Sequence, residues 1–182
     1  MQLSQIAITS VSTQQKDVVE ALDAYTKAGF RNVELALPLL KSWLVEGHTV
    51  DDAKHLLAAR NMRCIGGFEN IVNCFGSPED MQQNHEMHVN NARLLHQLGG
   101  RTMVVGTDGP SIPSFEAIEV ISTTLHQLAR RLEGLDVSLK NCGGFLRQRL
   151  HDYAIIAWCR SAYSHNANRV RSGGTARVYP DV

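Results

Sequence analysis

Two hydrophobic periods alternate along the first 139 residues. The run LSQIAITS (3–10) predicts a strand. Ser12 and Gln15 then stand at capping-box spacing ahead of a helical stripe of Val18, Leu22, Tyr25 and Ala28, closed by Gly29. A second strand is predicted over RNVELAL (31–37), followed by a connecting segment. Thr49 and Asp52 again show box spacing, before Ala53, Leu56 and Leu57 of a second helix. MRCIGGF (62–68) reads as a third strand, and from Ser77 a long helix carries Met81, Ala92 and Leu95 to a stop at Gly99-Gly100. RTMVVGT (101–107) is the fourth strand. Ser114 caps a helix with Glu116 and Glu119 in its early turns and Ile118, Ile121, Leu125, Leu128 and Leu132 on its buried side. DVSL (136–139) begins a fifth strand.

Strict strand–helix alternation implies an α/β fold, with parallel strands and helices outside, because each parallel crossover needs a dozen or more residues. An open doubly wound sheet and part of a (β/α)8 barrel both fit. About four and a half βα units occupy residues 1–139, so eight would approach the roughly 250 residues of a whole barrel. At 182 residues the chain is too short to close one, and a partial (β/α)8 TIM barrel is expected.

Composition narrows the setting. With 43% hydrophobic residues the chain suits one globular domain; its longest apolar runs fall far short of the roughly 20 residues a membrane helix needs, and its start lacks a signal-peptide pattern. A cytoplasmic location without membrane partners is the expectation. Cys64, Cys74, Cys142 and Cys159 form no CxxC pair and read as reduced thiols. The formal charge of zero conceals an asymmetry. Up to Leu139 there are 11 Lys and Arg against 16 Asp and Glu, a net of −5, whereas from Lys140 onward there are 7 against 2, a net of +5. An acidic main body argues against nucleic acid as a partner.

In a βα unit the end of the strand and the loop after it face the ligand, which selects Glu34, the run Gly66-Gly67-Phe68-Glu69-Asn70, and Thr107-Asp108-Gly109. The substrate-pocket candidates are therefore Glu34, Gly66, Gly67, Glu69, Thr107 and Asp108. Glu34 is the most informative: with Val33 and Leu35 on the other side of its strand, its carboxylate points into a central cavity or is satisfied by a buried Arg or backbone donors. Gly66-Gly67 either lets a ligand approach the backbone or serves conformation alone. Glu69 and Asp108 read as loop carboxylates, solvated or capping unless brought together. His85 and His88, at i and i+3, have metal-ligand spacing, yet they share a stripe with Met81 and Ala92 and read better as packing against the sheet. No GxGxxG, GxxxxGK[ST] or GxSxG pattern occurs, so phosphate-loop and serine-nucleophile chemistry are unsupported.

AGFRNVELAL, AARNMRCIGGF, LLHQLGGRTMVVGTDGP and ARRLEGLDVSL, taken as an ordered set over residues 1–139, resemble the sugar phosphate isomerase/epimerase family with the xylose-isomerase-like barrel. The resemblance implies a (β/α)8 fold and a divalent metal, Mn²⁺, Mg²⁺ or Zn²⁺. It also implies proton transfer next to a carbonyl through an enediolate, with a small sugar or sugar phosphate as substrate. It further implies a metal-binding glutamate at the end of the fifth strand. The sequence supplies Lys140-Asn141-Cys142-Gly143-Gly144 there instead.

Residues 140–182 are accordingly expected to be a divergent tail, either genuine or the product of a shifted reading frame. A helix is expected over 145–159 through Leu146, Leu150, Tyr153 and Ile156, with a disordered remainder. A truncated, inactive chain that binds no metal and self-associates through unpaired sheet edges is the consequence. An abasic-site endonuclease of the same superfamily is disfavoured by the acidic body, and an open-sheet binding or regulatory module without catalysis remains a competing expectation.

Overall fold

The computed structural model describes residues 6–13, 15–110 and 114–141; the expected helix over 145–159 and the disordered remainder lie outside them. The strands β1 (Ala7–Thr9), β2 (Asn32–Ala36), β3 (Arg63–Val72), β4 (Thr102–Thr107) and β5 (Ser138–Asn141) form one sheet in the order β1-β2-β3-β4-β5, every pairing parallel. Helices α1 (Val18–Lys27), α2 (Leu37–Val45), α3 (Val50–Ala59), α4 (Pro78–Gln97) and α5 (Phe115–Arg131) complete the element order. A sheet that advances one strand per crossover, always in the same direction, is what βα units in a barrel produce, whereas a doubly wound sheet reverses its order at a switch point.

The capping chemistry explains most boundaries. Thr49 and Asp52 make the full reciprocal box, and the Ser77 and Ser114 side chains accept from the backbone amides of Asp80 and Ala117. Ser12 is different. It falls in a 3-10 turn, Ser10–Ser12, and α1 is capped instead by Asp17, whose carboxylate accepts from the Glu20 amide at 2.8 Å. An ionised carboxylate at the first turn also meets the helix dipole, which the Ser12 hydroxyl could not match. The second correction is α2. The residues after the second strand are helical from Leu37, with Pro38 in the first turn and Leu37, Leu40 and Trp43 buried. Unbroken apolar character through LALPLL (35–40) hides the change of period at that point.

One face of the sheet is buried beneath the helices. Val33, Leu35, Met103, Val105 and Leu139 are at most 4% exposed and pack with Leu22, Leu57, Leu95, Ile121 and Leu128 of the helical layer. Strand alternation sends the intervening residues to the opposite, open face: Glu34 and Ala36 on β2, Thr102 and Val104 on β4, Ser138 and Lys140 on β5. β3 departs from simple alternation because its register shifts twice, between Val33/Glu34 and between Phe68/Ile71. Each shift inserts an extra residue. As a result Ile65, Phe68 and Ile71 share the open face, and Ile65 and Ile71 are 40% and 44% exposed.

β5 runs on through Lys140 and Asn141, which pair with Val104 and Val105, so the backbone keeps to the sheet where the apolar pattern ends. Among the described residues, no helix is long and apolar enough to cross a membrane.

The two central glycines stand where β3 is most crowded, Gly67 against the helical layer and Gly66 against the neighbouring strand β4. A Cβ on Gly67 would lie 2.9 Å from both the Leu35 carbonyl oxygen and Leu95 Cδ2, and one on Gly66 would lie 2.2 Å from the Thr102 carbonyl oxygen. The structure thus supplies a packing reason for both. Gly66→Ala should lower the unfolding free energy by about 1–3 kcal/mol, the usual range for overpacking, read from a lower urea midpoint at unchanged slope.

Candidate functional site

The strand rule that selects the six candidate residues treats all strand ends alike. The structure separates them. Glu34 is half-buried on the open face, opposite the side taken by Val33 and Leu35, and its β3 register partner is Gly66, which has no side chain to crowd it. The end of β2 is held by Ser10, just after β1, whose hydroxyl donates to the Glu34 carbonyl at 3.2 Å and accepts from the Ala36 amide. Among the described residues no cation pairs with the Glu34 carboxylate.

Glu69 is not a loop carboxylate but a residue of β3, and the displaced register turns it to the helical side. There Lys41 of α2 reaches both its oxygens at 2.6 and 2.8 Å, the Asn91 amide of α4 donates to the same carboxylate, and Lys41 also donates to Asn91 Oδ1 at 3.0 Å. With the Glu69 side chain only 16% exposed, removing Lys41 would leave a poorly solvated charge unbalanced, and removing Asn91 would take a hydrogen-bond donor from it. A groove of about 770 Å³ runs beside this cluster along the outer side of α4, lined by Lys41, Gln83, Glu86, Met87, Asn90 and Leu94 among others. It lies with the helices, away from Glu34.

Thr107 also faces the helices, alternating with the buried Val105, and is 7% exposed. Asp108 lies just past β4, and its carboxylate accepts from the Cys74 amide at 2.6 Å and the Phe75 amide at 3.4 Å, clasping the loop between β3 and α4 to the end of β4. Gly67 packs under α4. Of the six, therefore, only Glu34 and Gly66 share the open face. Glu69, Thr107 and Asp108 do not converge with them, because bulges and alternation in β3 and β4 point them elsewhere.

The cysteines and histidines are similarly committed. Burial pushes the Cys64 thiol up to about 12, and burial, with the Asp108 carboxylate beside it, does the same for Cys74; neither is a ready thiolate. His85 and His88 are both buried. His88 Nε2 lies 3.2 Å from the Ile71 carbonyl oxygen, so this histidine closes off the end of β3 as packing against the sheet requires.

A divalent ion needs several converging oxygen or nitrogen donors. Among the described residues no group of three or more His, Cys, Asp or Glu side chains is placed to hold one. Glu34 has no second carboxylate near it on the strands, while Glu69 and Asp108 already serve Lys41, Asn91 and backbone amides. The described residues do not fit the metal that the family resemblance implies.

Sequence reasoning passed over Ser10, Lys41 and Asn91. Asn91 carried a usable signal: a polar residue three positions from His88 on the apolar stripe of a helix, which must find a buried partner. Lys41 carried none, since α2 itself was hidden.

Burial is the leading cause holding both His85 and His88 below the ordinary value of 6.5, with the Arg131 charge adding to the effect at His85. The unfolded chain then takes up protons at higher pH than the folded one. Their contribution to stability is complete above about pH 6.5 and is lost as the pH falls below it. Urea unfolding between pH 7.5 and 5 should show falling stability, and His88→Gln, which keeps a donor for the Ile71 carbonyl but does not titrate, should flatten that slope. An identical slope in the variant would count against this.

No protein-family model matches the chain, and no curated protein matches it in sequence. Solved structures do match in shape. A xylose isomerase domain protein from Alicyclobacillus acidocaldarius subsp. acidocaldarius shares 18% identity at a TM-score of 0.61, over 74% of this chain and 48% of that one. The IolI protein with a bound zinc atom shares 14% identity at 0.63, over 74% and 50%. D-psicose 3-epimerase with D-tagatose, from Clostridium cellulolyticum H10, shares 14% at 0.57, over 73% and 50%. The chain spans about half the length of these proteins. Its five parallel strands and surrounding helices are a segment of the xylose isomerase-like TIM-barrel fold.

Proposed function

We propose that the open face binds a small sugar or sugar phosphate, with Glu34 accepting hydrogen bonds from its hydroxyl groups. The whole protein of which such a face is part would carry out isomerase or epimerase chemistry next to a carbonyl. One observation carries the reading: Glu34 is the one carboxylate that the described strands turn to the open face, and it stands among Ala36, Thr102 and the side-chain-free Gly66. Apolar walls with a few placed polar groups are the usual make-up of a small-molecule site. A carboxylate with no protein cation beside it is available to a ligand hydroxyl, or to a proton next to a carbonyl. The likeness to epimerases and to a xylose isomerase domain protein supports the substrate class.

A second reading has its own support. Because Glu69 and Asp108 are already engaged by Lys41, Asn91 and backbone amides, the described residues offer a polyol a binding carboxylate but no metal-centred electrophile to stabilise an enediolate. Binding without turnover is the function that follows for the described residues.

A panel of ketoses, aldoses and their phosphates should raise the melting temperature of the purified chain, and Glu34→Gln should remove most of that rise while leaving the ligand-free melting temperature within a few degrees. Calorimetric titration of Mn²⁺ should show no micromolar site. Micromolar binding accompanied by epimerisation of a ketose would overturn the second reading, and a stabilisation equal in Glu34→Gln would overturn the role of Glu34 in both.

A further inference from the structure

The open face poses a physical problem. All-parallel sheets occur almost only with both faces covered, yet among the described residues the helices cover one face, and Ile65 and Ile71 remain 40% and 44% exposed on the other. Phe68 and Val104 lie between them in the strand pattern. This apolar strip is flanked by two opposite charges. Glu34 stands on β2 at one side, and Lys140 stands exposed on the edge strand β5 at the other, three strand spacings or about 14 Å away. Along the strands the two are nearly level. Glu34 pairs with Gly66, Gly66 with Thr102 and Thr102 with Ser138, so Lys140 lies two residues further on, about 7 Å.

We infer that a second copy of this chain covers the open face, related to the first by a two-fold axis parallel to the strands. Such an axis, placed between the two open faces and over the midline between β3 and β4, exchanges β2 of one copy with β5 of the other. It does three things together. The apolar strips of Ile65, Phe68, Ile71 and Val104 face one another and leave water. Each Glu34 comes opposite the partner copy's lysine at the position of Lys140, twice over by symmetry, within the reach of a lysine side chain. The edges β1 and β5 are brought alongside their counterparts in the parallel sense that every pairing in the sheet already has. An axis perpendicular to the strands would bring the edges together antiparallel instead. The contact is isologous and closed, so it stops at two copies. An ion pair at the margin of an apolar interface contributes more to selecting this arrangement than to its strength.

A second copy and a bound sugar would compete for this face and for Glu34, so the dimer is the state of the chain without ligand and is tested without one. Sedimentation equilibrium of the 182-residue chain over micromolar concentrations should give a reversible dimer. Lys140→Glu and Glu34→Lys should each weaken it at least tenfold, because like charges then meet across the axis. The double variant, in which the charges are exchanged, should return to within a few-fold of the original dissociation constant. Far-UV circular dichroism of the three variants checks that the fold is kept, and recovery in the double variant is an outcome that simple misfolding does not produce. A chain that is monomeric throughout, as it would be if its own residues beyond Asn141 covered the face, overturns the inference. So do an open-ended series of oligomers and a dimer indifferent to both single reversals.

Discussion

The described structure depends on one constraint: five parallel strands that follow one another in order across the sheet are joined by crossovers of one hand, and such crossovers all lay their helices on the same face. The helices therefore take one side of the sheet for themselves. Leu95 of α4 over Gly67, and Leu37 beside it, show how close that contact becomes at the centre, where even a methyl group would meet a backbone carbonyl. Once the helical side is filled, every residue on the opposite phase of each strand is committed to the other face, whatever its chemistry. Glu34, Ile65, Phe68, Val104 and Lys140 are neighbours for that reason.

The irregularities of β3 then decide the chemistry. With regular alternation across ten residues, Phe68 and Ile71 would stand on opposite faces; the shift between them puts both on the open side and leaves Glu69 toward the helices. Buried there, a carboxylate must be neutralised, and Lys41 and Asn91 answer from two different helices. The outcome is a polar clamp that ties α2 and α4 to the sheet. Asp108 performs a related task between two loops by accepting backbone amides. Two of the substrate-pocket candidates are thus occupied in holding the frame, and this is why the described strands present one carboxylate to the open face and the described residues form no metal site.

Likeness to the barrels is one of path. Sequence identities of 14–18% over about three quarters of the chain leave the course of the backbone intact while most side chains differ. Shared path explains why the five strands follow the course of the strands in those barrels. It does not by itself carry over what those enzymes do, and the reading of this face rests on the Glu34 carboxylate and its surroundings.

The strand and helix order, the caps at Thr49, Ser77 and Ser114, the stop at Gly99, the parallel architecture and the position of Glu34 opposite Val33 and Leu35 were all legible in the amino-acid sequence, because periodicity and capping are local properties of a few adjacent residues. The tertiary structure alone decided the rest. It replaced Ser12 by Asp17 as the cap of α1, made a helix of Leu37–Val45, and lengthened β3 to Val72 with two register shifts. It also extended β5 to Asn141, and turned Glu69 and Thr107 to the helices. The reason is physical. Which face a strand residue occupies after a bulge, and whether a buried carboxylate finds Lys41 28 residues before it and Asn91 22 residues after it, depends on distances set by the neighbouring strands and helices, and these exist only once the layers have packed.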